Sequence, residues 1–255
     1  EMSPVQFQLL LNHYRFDFLV YDDELCSMVE QSDYAKDKIP AYHDTLPAVN
    51  TLCVIPTERK EKLKRTSLGN LVILTGGTTG NFKTAVHKPS ALNYLNPCIA
   101  MLTRLKLSDC RATYIAVPIY HGYGLATLFL FILLGKKILI QRSFHAENAC
   151  KLIHEHHADT TVVVPLMVYK MIRYNTEYLK SLTCIACGGS ELNPESAAEI
   201  LEKLGDALFN LYGTSEAGLT TIATPQDLKA ASDTIGRKIP GVRLKILDQQ
   251  GKRVP

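Results

Sequence analysis

Leu71-Val72-Ile73-Leu74-Thr75-Gly76-Gly77-Thr78-Thr79-Gly80-Asn81-Phe82-Lys83-Thr84-Ala85-Val86-His87 is the stretch on which the reading of this chain turns. An apolar run, Leu71 to Leu74, halts at a glycine- and threonine-rich turn, and Ala85 to His87 resumes an extended pattern, so the turn joins two strands. Glycines at 76, 77 and 80 permit positive φ and carry no side-chain bulk, so consecutive backbone N–H groups can converge on an anion. Thr75, Thr78 and Thr79 add hydroxyl donors, and Lys83 adds a mobile positive charge for phosphate oxygens. The segment reads as a polyphosphate loop. The plainer alternative is a flexible hairpin tip, which needs only one or two glycines and no threonine cluster. A P-loop matches poorly, because that motif sets glycine directly before its lysine and a helix directly after. Here Phe82 precedes Lys83, and Thr84-Ala85-Val86 reads as strand.

Around this loop the composition is that of an ordinary α/β protein. With 255 residues, 46% hydrophobic and 21% charged, the chain can bury a sizeable core as one large domain or two small ones. A net charge of +3 is too small and dispersed to indicate nucleic acid. The longest apolar run, Leu125 to Leu134, is about half of what a bilayer span needs and is expected to be a buried helix. No basic segment leads into an apolar one near the start, and seven cysteines form no disulfide framework, so a reduced, cytoplasmic setting is expected. Glu1 ahead of Met2 suggests a start inside a longer protein or after a cleaved tag. Cys184 and Cys187 form a CxxC, but in an apolar run with no second pair, which favours buried strand thiols over a redox or zinc role. His154, His156 and His157 close a helical segment and read as a solvated helix end.

Strand-like runs alternate with helical segments: Phe16 to Tyr21, Thr51 to Ile55, Leu71 to Thr75, Thr113 to Val117, Lys137 to Ile140, Thr160 to Val164, Thr183 to Cys187 and Ala207 to Leu211. His145 to His157 and Pro194 to Leu204 carry apolar residues at helical spacing, and Pro97 is expected to bend or split a helix over Ser90 to Leu105. This alternation predicts a doubly wound α/β body with a mostly parallel sheet. The expected organisation is an α/β core over 1–235, with a charged linker near 58–66, and the start of a β-rich subdomain over 236–255. The run Glu58 to Arg65 is most simply solvated, a phosphate-steering role being the alternative. Alternation over Val242 to Asp248 predicts a half-exposed strand.

Three further segments each follow a predicted strand. In Asn210-Leu211-Tyr212-Gly213-Thr214-Ser215-Glu216, Tyr212 offers a flat face for a base, and Gly213 allows close backbone approach. Thr214 and Ser215 offer hydroxyl donors to phosphate, and Glu216 is a hard oxygen ligand for Mg²⁺. A strand-end turn with a surface acid is the structural alternative. In Pro118-Ile119-Tyr120-His121-Gly122-Tyr123-Gly124, His121 is either functional or a helix cap. Cys187-Gly188-Gly189-Ser190-Glu191-Leu192 is either a ligand-lining turn or merely a tight turn into the Pro194 helix.

Taken with the loop, these segments resemble, in order, the motifs of the adenylate-forming (AMP-binding) superfamily, which includes acyl- and aryl-CoA ligases, luciferases and peptide-synthetase adenylation domains. The loop is similar to that family's Thr-Ser/Gly-Gly-Thr-Thr-Gly-x-Pro-Lys-Gly, departing at Phe82 and Thr84, and Ser215 stands where threonine is more usual. The resemblance implies an acyl-CoA synthetase-like large domain that activates a fatty or aryl carboxylic acid with ATP and Mg²⁺. Acyl-adenylate and pyrophosphate form first, and coenzyme A or an acyl carrier protein thiol then displaces AMP. It implies ATP-binding roles for Thr75, Gly76, Gly77, Thr78, Thr79, Gly80, Gly188, Gly189, Ser190, Tyr212, Gly213, Thr214 and Ser215. Catalytic roles fall to Lys83, Glu216 and His121, with Glu216 holding the metal. In relatives that activate fatty or aryl acids, the His121 position walls the carboxylate end of the acyl pocket. Amino-acid-activating relatives usually carry an aspartate nearby, and none follows His121. The family's Tyr-x-Thr-Gly-Asp segment and C-terminal lysine domain are not found within these 255 residues, so the chain is expected to bind nucleotide weakly and turn over poorly by itself. A non-catalytic nucleotide- or acyl-binding module is the reading from another class. Acyl chain-length preference depends on pocket depth, since each methylene contributes about 0.8 kcal/mol only where the pocket takes it.

Overall fold

The computed structural model describes residues 3–44, 47–54, 71–75, 83–87 and 91–254, with the backbone alone for 71, 73–75, 83–87 and 91–94. The linker near 58–66, Ile55, Phe82 and the loop residues Gly76, Gly77, Thr78, Thr79 and Gly80 lie outside the described residues. Two compact units divide the chain, Glu1–Thr66 and Ser67–Pro255.

In the first unit, helix α1 (Pro4–Tyr14) starts at a capping box in which Ser3 and Gln6 satisfy each other's backbone N–H. Strand β1 (Phe18–Tyr21), helix α2 (Cys26–Glu30) and strand β2 (Asp37–Pro40) follow, and the two strands pair in parallel from Phe18–Asp37 to Tyr21–Pro40. The predicted strand at Thr51 to Ile55 is instead part of helix α3 (Val49–Val54). Two local contacts decide this. The Leu52 N–H donates to the Ala48 carbonyl at 3.0 Å, and the Thr51 hydroxyl bridges the Ala48 N–H and carbonyl, both at 2.9 Å. Strand propensity counts only where a neighbouring strand supplies packing, so these contacts win.

The second unit opens with an antiparallel hairpin, β3 (Leu71–Thr75) and β4 (Lys83–His87), paired from Leu71–His87 to Thr75–Lys83. Helix α4 (Ala91–Arg104) runs through Pro97 as one helix, so of the expected bend or split the split does not occur. Next come β5 (Ala112–Ile115), α5 (Gly122–Leu133), β6 (Lys137–Ile140), α6 (Ala146–Glu155) and β7 (Thr160–Val163). They are followed by α7 (Pro165–Tyr174), β8 (Cys184–Gly188), α8 (Pro194–Leu204), β9 (Leu208–Thr214), β10 (Gly218–Ala223), α9 (Pro225–Ala230) and β11 (Arg237–Lys238).

These strands form one seven-stranded sheet in the order β11-β10-β9-β8-β7-β5-β6. Pairs from β9 across to β6 are parallel, while β10 and β11 add an antiparallel edge. Side chains alternate across the sheet, as period-2 geometry demands. Ile185 and Cys187 of β8 pack with Ile153 of α6, Met171 of α7 and Ile200 of α8, whereas Cys184 and Ala186 pack with Met101 of α4 and Phe131 of α5. Helices therefore cover both faces, as the α/β reading predicts. The same alternation explains the CxxC: three positions apart on a strand, Cys184 and Cys187 point to opposite cores. Burial raises both thiols, Cys187 to about 12, which leaves them protonated and unreactive.

Two expectations need correction. Helix α5 is not buried all round: Thr127, Leu130 and Phe131 are inside, but Phe129, Ile132 and Leu133 are exposed. The segment Val242 to Asp248 forms no regular strand, because its alternation meets no ladder among the described residues. Its only pairing among described residues is a single bridge, Leu247 to Arg253. Lastly, Thr113 Oγ1 on β5 is buried and has no hydrogen-bond partner among the described residues. Thr113→Val, which keeps the shape and deletes the orphaned hydroxyl, is expected to stabilise the protein by about 1 kcal/mol, read as a raised urea midpoint.

Candidate active site

In a parallel sheet every strand delivers its following loop to the same edge, so order and direction alone gather three of the four motifs. Strands β5, β8 and β9 are co-directional, and His121, Gly188 to Ser190, and Tyr212 to Glu216 stand at or beyond their carboxyl ends. Strand β6 follows β5 but lies outside it, while β7, β8 and β9 build outward on the other side. The winding direction therefore reverses between β5 and β7, and open α/β sheets bind ligands in the crevice at such a reversal.

His121 occupies the N-cap of α5 with extended backbone (φ −88°, ψ 147°), yet its side chain makes no capping hydrogen bond. Its ring is exposed and leans against Tyr120, with centroids 4.7 Å apart. The structural alternative of a capping histidine is thus not what the side chain does. Gly124 has an internal reason to be glycine: a Cβ would stand 2.3 Å from the Pro118 carbonyl oxygen, so the first turn of α5 lies hard against the loop that carries His121.

Gly188 ends β8 and is buried; a Cβ there would meet the Leu211 carbonyl oxygen at 2.7 Å. Gly189 takes φ +85°, open to glycine and strained for other residues, and it turns the exposed Ser190 out at the edge. Leu192 and Asn193 follow, and the Asn193 side chain caps α8 by accepting from the Glu195 and Ser196 N–H groups. The glycine pair thus serves the tight turn.

Tyr212, Gly213 and Thr214 close β9, and Ser215 to Ala217 form the turn into β10. Tyr212 is 47% exposed. Gly213 is required by the hairpin itself, since a Cβ would lie 2.3 Å from the Gly218 carbonyl oxygen. Thr214 Oγ1 accepts from the Ala217 N–H at 3.1 Å, which holds the turn and leaves the hydroxyl proton able to donate outward. Glu216 is exposed at the tip of the turn. Gly213→Ala is expected to cost about 1–3 kcal/mol through overpacking of the hairpin, measured by chemical denaturation.

Thr75 and Lys83 are the last paired residues of the β3–β4 hairpin, so the backbone holds both ends of the intervening loop together, about 4.5–5.5 Å apart by ladder geometry. The strand after Lys83, where a P-loop has a helix, matches the sequence reading. Among the described residues no group of three or more His, Cys, Asp or Glu forms a metal cluster, and the CxxC and histidine segments hold none. One residue the sequence did not single out is Tyr123. Its hydroxyl donates to the Ala186 carbonyl at 2.8 Å, tying α5 to β8, and burial raises its phenol well above the usual range. Its only advance signal is an aromatic side chain inside the Pro118 to Gly124 segment.

A sheet with helices on both faces and glycine turns, hydroxyls and exposed carboxylates at its carboxyl edge places the chain in the doubly wound α/β class. A family model described as AMP-binding enzyme matches residues 7–255, and the chain belongs to that family. It is 26% identical over 243 residues to the 2-succinylbenzoate–CoA ligase of Bacillus pumilus, an alignment covering 93% of this chain and 48% of that protein. It is 28% identical over 193 residues to the fatty acid–[acyl-carrier-protein] ligase ScoC of Streptomyces coeruleorubidus, covering 72% of this chain and 37% of that protein. The fold matches the structure of the amide bond synthetase McbA from Marinactinospora thermotolerans with a TM-score of 0.83 at 19% identity, over 99% of this chain and 52% of that one. The chain spans about half the length, or less, of the curated relatives it matches. Among the described residues no helix is long and apolar enough to cross a membrane.

Proposed function

We propose that this chain is the core of an AMP-forming acid–thiol ligase. A carboxylate attacks the α-phosphorus of ATP, the bond to the pyrophosphate oxygen breaks, and acyl-adenylate forms; a thiol then displaces AMP to give a thioester. The single observation that carries the reading is the convergence of the motifs after β5, β8 and β9 on one sheet edge, beside the winding reversal. The difficulty of the first step is that an anion must approach a polyanion. In this reading Lys83, the amide groups of the Thr75 to Gly80 loop and the Thr214 hydroxyl stabilise charge on the departing pyrophosphate. Tyr212 stacks the adenine, Gly188 to Ser190 line the nucleotide and acyl sites, and His121 walls the acid's carboxylate. No side-chain base is needed, because a carboxylic acid is already ionised at neutral pH.

Mg²⁺ fits the donor set. It is commonly held by one or two carboxylates together with substrate phosphates rather than by an all-protein cage, and Glu216 is an exposed carboxylate at the edge. Bound there, the metal would neutralise phosphate charge. Coenzyme A is the proposed acceptor, on the similarity to a CoA ligase. Similarity to ScoC supports a carrier-protein thiol as a second reading. We also propose a place in fatty- or aryl-acid metabolism in the cytoplasm, where the protonated buried thiols fit a reducing setting. The domain boundary near 236 remains part of this proposal. The test is acid-dependent ATP–pyrophosphate exchange by the full-length protein, then AMP release on adding coenzyme A. Exchange without coenzyme A-dependent release selects the carrier-protein reading, and no exchange across a broad acid panel defeats both.

A further inference from the structure

We infer that Thr220 is a positioning residue: its hydroxyl holds a β-bulge that aims the arm carrying Tyr212 and Glu216 at the nucleotide and its metal. This rests on the ligase reading above and deepens it by a residue that acts through Tyr212.

Strands β9 and β10 pair regularly from Ala223–Asn210 to Thr221–Tyr212, and there the register slips, because the next pair is Leu219–Gly213. Thr220 is the extra residue between them. A bulge of this kind bends its strand, steepens the local twist and re-aims what the hairpin carries beyond it. Beyond it here lies a short arm, Gly213 to Leu219, with Tyr212 at its base and Glu216 exposed at its tip. The direction of that arm is decided at residue 220.

Thr220 is tied on both sides. Its hydroxyl donates across the hairpin to the Tyr212 carbonyl at 3.0 Å, and its own carbonyl accepts from the Ile239 N–H at 3.0 Å. Ile239 is 1% exposed, in the core that also holds Met101 of α4 and Phe131 of α5, so this outer anchor belongs to the body of the sheet. The neighbouring Thr221 pairs with Lys238 of β11, and its hydroxyl donates to the Ile235 carbonyl at 2.6 Å. On the β9 side the tie from Thr220 is a single side-chain oxygen. The arm itself is stiff, since Gly213 has no room for a Cβ against Gly218 and the Thr214 hydroxyl holds the Ala217 N–H. A stiff arm turns as one piece, so the Thr220–Tyr212 bond sets where the Tyr212 ring and the Glu216 carboxylate stand together.

The test compares wild type, Thr220→Val and Thr220→Ser of the full-length protein in calorimetric ATP binding with Mg²⁺ and in acid-dependent ATP–pyrophosphate exchange. Valine keeps the shape and removes the donor, whereas serine keeps the donor. Thr220→Val is expected to raise the Kd and KM for ATP, and the Mg²⁺ concentration for half-maximal exchange, about fivefold each, with the KM for the acid unchanged. Thr220→Ser is expected to stay within about twofold of wild type in all of them. A merely structural role lowers the amount of active protein, so kcat falls while both KM values stay; that pattern overturns the inference. So does a Thr220→Val protein with wild-type ATP and Mg²⁺ dependence, a shift confined to the KM of the acid, or a serine variant that recovers nothing of what valine loses. ATP binding without exchange across a broad acid panel defeats the ligase reading, and the binding constants of the two variants then decide the inference. No ATP binding by wild type overturns both.

Discussion

Lys83→Ala is expected to slow acid-dependent ATP–pyrophosphate exchange about 10²–10³-fold, with little change in thermal midpoint. The magnitude is that of removing one preorganised donor from a developing negative charge, about 3–4 kcal/mol in the transition state. Position makes the effect local. Lys83 is the first residue of β4 and closes the hairpin opposite Thr75, so the backbone register that shapes the loop survives the substitution. Lys83→Arg separates charge from fit: a planar guanidinium keeps the charge but not the compact ammonium, and partial recovery is expected. Exchange at the wild-type rate in Lys83→Ala would remove this residue from the chemistry.

Glu216→Gln is the second large effect, expected at about the same 10²–10³-fold loss, accompanied by a raised requirement for Mg²⁺. A neutral amide keeps the size of the side chain and loses the charge that a hard cation prefers. Because Glu216 is exposed on a turn whose geometry is set by Thr214 and Gly213, folding stability should stay within about 0.5 kcal/mol of wild type. The pairing of lost activity, altered magnesium dependence and intact stability is the signature of a metal-binding role. A surface acid of no consequence changes none of the three. Titrating exchange against Mg²⁺ for wild type and variant distinguishes them.

Much of the fold is legible in the sequence because local signals and the global pattern agree. Helix α8 begins and ends where its residues say it should, with Asn193 as cap, Pro194 in the first turn and Gly205 after Leu204. The strands of the parallel sheet read as short apolar runs because both faces are covered. The failures share one cause, the absence or presence of a partner that a linear pattern does not reveal. Thr51 to Val54 has the composition of a strand, but the Thr51 hydroxyl closes onto Ala48 and the segment turns helical. Val242 to Asp248 alternates as a strand should, yet finds no ladder to join. Helix α5 is apolar all round in sequence, and only the topology tells which side faces the sheet.

The site divides in the same way. Motif order after successive strands makes the carboxyl-edge location of His121, Gly188 to Ser190 and Tyr212 to Glu216 readable in advance, since parallel strands must deliver their loops to one edge. Reasons for individual glycines are less readable: Gly213 and Gly188 are demanded by backbone neighbours within the sheet, in addition to whatever approaches from outside. Tyr123 is hidden for the plainest reason, because its partner Ala186 is 63 residues away along the chain.

In the ligase reading, the loop ending at Lys83 and the turn carrying Glu216 grip one triphosphate. The most direct measurement is a crystal structure of the full-length protein with ATP and Mg²⁺. The metal is expected about 2.0–2.1 Å from a Glu216 carboxylate oxygen, with the Lys83 ammonium on the same triphosphate and the adenine against Tyr212. Nucleotide bound away from the carboxyl edge of β8 and β9, or Lys83 and Glu216 on opposite faces and out of reach of one ligand, would contradict it.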